Sequence, residues 1–519
     1  MSTRGRWAAL AVLVLPVLLI SVDMTVLGFA VPALSADLEP SSTQLLWIID
    51  IYSFLLAGLL VLMGNVGDRI GRRRLLMIGA VAFAAASVAA AFATSAEMLI
   101  AARALLGLGG ATLMPSTLSL IRTVFPDAHE RRNAVAVWAA AFAGGAALGP
   151  ILGGVLLEHF WWGSVFLINV PIMALLLVGA WVLLPESRNP TPGPFDLLSA
   201  ALSIAGMLPV VYAMKSIGTE GPSVLAILLL LGGLALLWVF VARQRRLPAP
   251  LLDVGLFADR VFTVAVLTNL LSIFAVLGLL FFLPQYLQLV IGLSPLQAGL
   301  WMLPLALGTI AGSLAAPGLS RLLSMRVVIG GGMLLAAAGF TVGALSITDA
   351  GLGVLLGWTL VVGLGIGMAE SLTNDVVVSS APPERTGGAA SVSETAYELG
   401  GAMGTAVLGT LGLALYRAGL ADAPDGTPSA AVRAGQETLG GAQEAASRLP
   451  EDVGQAFLTV ASDAFTSGMS AVFAVAALVS LYTGLQALIV LRRRRHPRVS
   501  RMGDRGPQDD RPHRVLEPT

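Results

Sequence analysis

Apolar runs of about 20 residues, each bounded by a short polar or charged segment, recur along the whole chain. A helix needs about 20 such residues to cross roughly 30 Å of hydrocarbon. Fourteen windows meet that requirement, near residues 8–34, 45–64, 75–94, 98–121, 134–157, 163–184, 196–214, 223–242, 261–290, 296–320, 327–347, 351–373, 386–415 and 467–491. The pattern predicts an all-α polytopic membrane protein. The first run is too long for a secretory leader, has Asp23 in its middle and is followed by many more runs, so it reads as a span.

Charge gives an independent check on this count. Of 31 Lys and Arg residues, only Lys215, Arg417, Arg433 and Arg448 fall in the expected outer loops, and only Arg103 falls inside a span. The rest gather in alternate loops and at both termini, which places both termini inside. The densest inner loop runs from Gly64 to Leu75, where Asp68 stands among Arg69, Arg72, Arg73 and Arg74. Arg321 and Arg326 repeat the spacing of Arg69 and Arg74 after the tenth span, with Ser320 in place of Asp68. That offset suggests two six-helix halves, 1–190 and 251–491, with an extra helix pair and linker at 191–250. The pair, 196–242, reads as a lipid-facing filler or a contact between copies. The outer segment 417–466 predicts short helices at 429–447 and 451–466, the second starting at Pro450-Glu451. The basic, proline-containing tail 492–519 reads as a disordered cytoplasmic segment.

Composition narrows the chemistry. Only 12% of residues are charged, 56% are apolar, and the formal net charge is zero, so nucleic acid is not an expected partner. Cysteine is absent, and His129, His159, His496 and His513 fall in loops or the tail, so no metal site is expected. No ATP-binding loop or catalytic constellation is present: Gly107-Leu-Gly109-Gly110 and Gly363-Leu-Gly365-Ile-Gly367 lie in apolar helices with no preceding strand, where close helix packing explains them. The chain is not expected to be an enzyme.

The informative residues are acids at membrane depth, since each costs several kcal/mol if charged and unpartnered there. Asp23 lies mid-way along the first span and Asp50 in the outer third of the second. Glu394 and Glu398 share one face of the thirteenth, beside Tyr397. Each is either a structural acid or a carboxylate that holds a proton and a cation by turns. Glu370 and Asp375, toward the inner end of the twelfth span, read as acids at the water boundary. Arg103 matches Asp50 in depth, which suggests a pair, with a snorkelling arginine as the alternative. Trp47, Tyr52, Trp138, Phe142, Phe281, Phe282, Trp301 and Tyr397 read as packing or interface residues that can also offer cation–π faces. Gly149-Pro150 predicts a bend in a tightly packed fifth helix.

On these residues the chain resembles the major facilitator superfamily, in its fourteen-helix drug:proton antiporter branch. Gly64–Leu75 resembles the superfamily's loop signature, Arg103 with Gly107 its fourth-helix signature, and Gly149-Pro150 with Gly153-Gly154 the fifth-helix antiporter signature. Asp23-Met-Thr-Val, Trp47-Ile-Ile-Asp50-Ile-Tyr-Ser and Glu394-Thr-Ala-Tyr-Glu398 are similar to segments of pumps that export quaternary ammonium compounds, dyes such as ethidium, and antibiotics. The resemblance implies a monomer in the bacterial inner membrane that uses the proton-motive force and no cofactor to export small hydrophobic or cationic substrates. An exporter of one endogenous natural product or lipid is the rival expectation. It further implies proton coupling or substrate binding at Asp23, Asp50, Arg103, Glu394 and Glu398, and gating at Asp68, Arg69, Arg72, Gly149 and Pro150. Gly163 and Ser164 depart from the family's Trp-Arg-Trp form, and the ninth and tenth spans contain no acid, so recognition of bulky dications is expected to be weaker.

Overall fold

The computed structural model describes residues 2–188, 196–247, 250, 254–347, 351–380, 386–424 and 426–491; the tail 492–519 lies outside them. Helices account for the expected spans in order. The N-terminal half comprises α1 (Thr3–Leu38), α2 (Ser42–Ile70), α3 (Arg72–Ala91), α4 (Ala96–Val124), α5 (Ala128–His159) and a sixth span split into α6 (Ser164–Leu167) and α7 (Asn169–Leu183). The extra pair is α8 (Leu197–Glu220) and α9 (Val224–Gln244). The C-terminal half comprises α10 (Arg260–Gln285), α11 (Pro295–Trp301), α12 (Leu303–Leu322), α13 (Met325–Ser346), α14 (Leu352–Ser380) and α15 (Thr386–Gly419). After α15 come α16 (Ser429–Glu437), α17 (Leu439–Ser447) and α18 (Glu451–Val490). Among the described residues, thirteen stretches are long and apolar enough to cross a membrane, and α5 occupies the remaining expected window.

Local chemistry sets the boundaries. Ser41 and Gln44 form a reciprocal capping box at the start of α2, and Ser294 with Gln297 does the same for α11. Gly71 adopts φ 109°, a backbone conformation that separates α2 from α3. The glycine run 363–367 acts in packing: a Cβ at Gly363 would lie 2.1 Å from the Leu305 carbonyl of α12, and one at Gly365 2.3 Å from the Gly332 carbonyl of α13. Those glycines let three helices approach backbone to backbone.

Two expectations need correction. Residues 429–447 form two short helices broken at Thr438, because its extended backbone ends α16 and its hydroxyl caps α17. Residues 451–466 are continuous with the last span in α18, a 40-residue helix about 60 Å long that stands well beyond 30 Å of hydrocarbon.

The extra pair is partly lipid-facing. Trp238 on α9 is 72% exposed and Val224 77%, as suits a helix facing lipid. Its partner α8 packs against both α2 and α15, one helix from each half. At the foot of the pair Asp196 caps α8 through the Ser199 amide (3.0 Å) and accepts from Arg243 of α9 (3.0 Å), while Arg243 and Gln244 both donate to the Ser199 hydroxyl. Burial works against ionisation of Asp196, but the Ser199 hydroxyl and amide and the Arg243 guanidinium outweigh it and hold the carboxyl below its ordinary value. A depressed carboxyl stabilises the fold above its unfolded value of about 4 and loses that contribution as pH falls through its folded value. Asp196→Ala is therefore expected to cost about 1–2 kcal/mol near pH 7, chiefly the lost cap, since Arg243 is about a third exposed. In thermal unfolding in detergent, the gap from wild type should narrow below about pH 4.

Candidate functional site

The site forms where α1, α2 and α4 meet α10 and α15. Asp23 on α1 and Arg103 on α4 make a salt bridge of 2.6 Å, with both side chains about 98% buried. Depth alone suggests Asp50 as the arginine's partner, but the salt bridge is with Asp23. The guanidinium also donates to the backbone carbonyls of Ile48 (3.0 Å) and Ile49 (3.3 Å) on α2, and it lies 4.6 Å from the ring centre of Tyr52. Its planar fork thus binds three helices at once, which a lysine ammonium does not reproduce. The snorkelling alternative is excluded, because Arg103 is 2% exposed and points into the bundle.

Asp50, Tyr52, Ser53 and Arg103 line a small cleft, closed from the other half by Leu280 and Phe281 of α10 and by Gly401 to Thr405 of α15. The space is about 30 Å³, enough for a water or two and far too small for a drug-sized molecule. Glu398 of α15 is fully buried, and Tyr52 lies within electrostatic reach of both Asp23 and Glu398. The Tyr52 hydroxyl is buried with no hydrogen-bond partner among the described residues, so it is an unused donor between the acids of the two halves. Tyr397 packs edge-on against Phe142 of α5, 6.1 Å between ring centres. Glu394 lies on the same helix; its side chain is outside the described residues.

The residues for which the resemblance implies gating sort into two groups at opposite ends. At the terminus-bearing end Asp68 and Arg72 form a salt bridge across the Gly71 break. Arg69 lies exposed in the last turn of α2. The loop docks on the segment after α7: the Arg72 amide donates to the Ser187 carbonyl (2.8 Å), the Arg73 amide to Glu186 (3.1 Å) and the Arg73 guanidinium to the Leu184 carbonyl (3.0 Å). A Cβ at Gly71 would meet the Glu186 carboxylate at 2.4 Å. The role of Glu186 escaped sequence reading; the acid in Pro185-Glu186-Ser187-Arg188, facing a four-arginine loop, was the available signal.

At the other end, called outer after the charge asymmetry, the two halves are in close contact. Gly149 and Gly153 of α5 pack on Thr25 and Val26 of α1, while Gly154 and the Pro150 carbonyl abut Leu296 and Gly299 of α11. Pro150 sits within a continuous α5 and exposes its surroundings to that contact. The segment after α15 adds a strap. Glu437 accepts from the Ser42 amide at the start of α2 (2.8 Å) and from Arg417 at the end of α15 (2.8 Å), so one carboxylate joins both halves. The Tyr416 hydroxyl donates to the Gly435 carbonyl (2.7 Å), and Gly440 of α17 packs on Pro32 and Ser35 of α1. Sequence reading placed this segment outside but could not find Glu437, which looks like any surface acid.

A family model described as Major Facilitator Superfamily matches residues 13–405. The chain belongs to the major facilitator superfamily. Within that superfamily, it is 47% identical to the multidrug efflux pump LfrA of Mycolicibacterium smegmatis over 94% of this chain and 96% of that one. It is 38% identical to the methyl viologen resistance protein SmvA of Salmonella typhimurium, over 89% and 93% respectively. A solved bacterial homologue of the human lysosomal transporter Spinster, in an inward-facing and unoccupied conformation, shares the superfamily fold with a TM-score of 0.65 at 16% identity, covering 94% of this chain and 99% of that one.

Two outcomes follow from this geometry. Arg103→Gln leaves Asp23 buried without its counter-charge and is expected to cost about 3–5 kcal/mol, read as a fall in thermal midpoint in detergent. Adding Asp23→Asn should restore most of that loss, and Arg103→Lys should fall between. Gly299→Ala places a Cβ 2.3 Å from the Pro150 carbonyl, so the outer ends of α5 and α11 must part. Because the chain has no cysteine, a Leu296→Cys reporter can be labelled cleanly. Its alkylation rate should rise several-fold in the Gly299→Ala background and stay unchanged if that contact does not seal the outer end.

Proposed function

We propose that the chain is a proton-driven antiporter that exports lipophilic, mostly cationic compounds across the cell membrane of a bacterium, with both termini in the cytoplasm. The observation that carries this reading is the meeting of Asp23, Arg103, Asp50 and Tyr52 of one half with the Glu398-bearing helix of the other, at membrane depth and on the surface where the halves touch. Groups on that surface change their exposure whenever the halves rock. The likeness to LfrA and SmvA over nearly the whole chain supports drug cations as cargo.

The cycle follows from simple competition. When the inner ends part, the acids are wetted, and a lipophilic cation entering beside them favours their ionised form and displaces a proton. Rocking then exposes cargo outside, where protonation lowers its affinity and releases it. Arg72, Arg73 and Glu186 hold the inner loop to the end of α7, with Asp68 bracing Arg72, so their contacts set how that end opens. Glu437, Gly154 and Gly299 hold the outer end shut in the conformation described. No cofactor is needed: each net charge moved contributes about 2.3 kcal/mol per 100 mV, and a pH gradient adds to it.

Ethidium exchange for protons in proteoliposomes containing this protein alone tests the proposal. Export should collapse when the gradient is dissipated, and dye movement indifferent to the gradient would refute the reading. Asp23→Asn, Asp50→Asn, Glu394→Gln and Glu398→Gln, introduced singly into folded protein, are each expected to cut proton-driven transport at least tenfold. Four neutral results would return these acids to a structural role.

A further inference from the structure

Glu370 is the buried acid that the cycle above does not use. Its place on α14 is seven residues before the end of the span Gly353–Val377, about 10 Å inside it. It is half-buried, and one carboxylate oxygen accepts from the Ser272 hydroxyl of α10 at 3.1 Å. Ser272 is fully buried and belongs to a polar cluster without charge. The Asn269 amide donates to Asn374 (2.8 Å) and Ser393 (2.9 Å), Thr373 donates to the Asn269 carbonyl oxygen, and Ser393 donates to Asn374 (2.9 Å). These residues come from α10, α14 and α15, all in the C-terminal half. The Ser272 hydroxyl also lies 3.0 Å from the Asn269 backbone carbonyl, so Glu370, its donor and the cluster all sit within one half.

Among the described residues this carboxylate forms no salt bridge. The other elements packed on α14 carry cations only in their terminal turns, Arg260 on α10, Arg321 on α12 and Arg326 on α13; the stretches between, 261–285, 303–320 and 327–346, contain no Asp, Glu, His, Lys, Arg or Tyr. On α15 Tyr397 lies within electrostatic reach of both Glu370 and Glu398, and the Glu394 side chain lies outside the described residues. On α14 itself Asp375 is exposed. A carboxylic group at this depth, met by a hydroxyl and by no counter-ion among the described residues, costs least when it carries a proton.

We propose that Glu370 is a second proton-binding site of the C-terminal half, loaded and emptied once per cycle in addition to the acids facing the cleft. It differs from Glu398 in position: Glu398 lies where the halves meet, whereas Glu370 and its donor lie within one half. Cargo therefore competes for the first and not for the second, and Glu370 raises the number of protons exchanged per cation. This rests on the antiport reading, and it adds a proton-binding residue that the reading does not require.

Two measurements test it. In the ligand-free protein, the infrared carbonyl band of protonated carboxyls is followed across pH in wild type, Glu370→Gln and Glu398→Gln; one titrating component should vanish in Glu370→Gln and persist in Glu398→Gln. In proteoliposomes with the membrane potential clamped at zero, steady-state ethidium accumulation at a gradient of one pH unit should fall about tenfold in Glu370→Gln, since each coupled proton contributes a factor of ten per unit. Glu370→Asp, which keeps a carboxyl, should recover it. A glutamine in this position retains the Ser272 contact, so a purely structural role predicts an unchanged band and an unchanged accumulation ratio, and that result overturns the proposal. Should Glu370→Gln fail to fold, Ser272→Ala must move the titration of the same band; an unmoved band overturns the proposal equally. A wild type that accumulates no ethidium while the band still vanishes in Glu370→Gln refutes drug cargo and keeps the proton site.

Discussion

The Asp23–Arg103 ion pair is the constraint on which the transmembrane core of the N-terminal half depends. A guanidinium at this depth has to be answered on all sides, and it is: by Asp23, by two carbonyls of α2 and by the face of Tyr52. Such a pair adds little net stability, because removing two charges from water offsets most of their attraction. Its effect is on specificity. Any register of α1, α2 and α4 other than this one strands a charge in hydrocarbon, so the three helices behave as one rigid unit. The other basic residues of the spans in the C-terminal half, such as Arg260, Arg321 and Arg326, stand in terminal turns rather than at this depth.

Rocking requires contacts between the halves that hold and then let go. The outer seal has that character. It consists of glycines against backbone at α5 and α11, a hydrogen bond from the Leu296 amide to Glu158 (3.4 Å), and a polar strap through Glu437, about two-fifths exposed. Gly363 and Gly365 make the same kind of backbone approach within the C-terminal half, and α8 touches a helix of each half.

Much of this was legible in the sequence, and the reasons are physical. Span positions follow from hydropathy, because a bilayer admits little else. The loop at Gly64–Leu75 declared itself by composition, and the glycines around Pro150 by their spacing, as a close helix contact. Arg103 and Asp23 were visible as ions in apolar runs, yet their pairing was not, since depth along a helix says nothing about which face meets which neighbour. Arg103 and Asp50 share a depth, and rotation of α4 gives the salt bridge to Asp23. Glu186 and Glu437 were illegible for a related reason: both act through backbone groups of segments far away in sequence, and an acid in a loop carries no mark of that. The continuity of α18 is hidden because its first turns are polar, and polarity reads as the end of a span although the helix simply continues past it.

The two halves answer buried polarity differently, and the difference bears on how exchange works. In the N-terminal half Asp23 and Arg103 answer each other directly, at 2.6 Å. In the C-terminal half Asn269, Thr373, Asn374 and Ser393 satisfy one another without charge and leave Glu370 with a single hydroxyl donor. A hydroxyl can donate to a carboxylate and accept from a carboxylic acid, so it can partner either form, whereas burial favours the neutral one. A titrating group needs surroundings of that kind, because a strong counter-ion would lock it ionised and a purely apolar pocket would lock it neutral. The Asp23–Arg103 pair therefore ties helices together, whereas the uncharged cluster beside Glu370 gives that carboxyl surroundings in which its charge can vary.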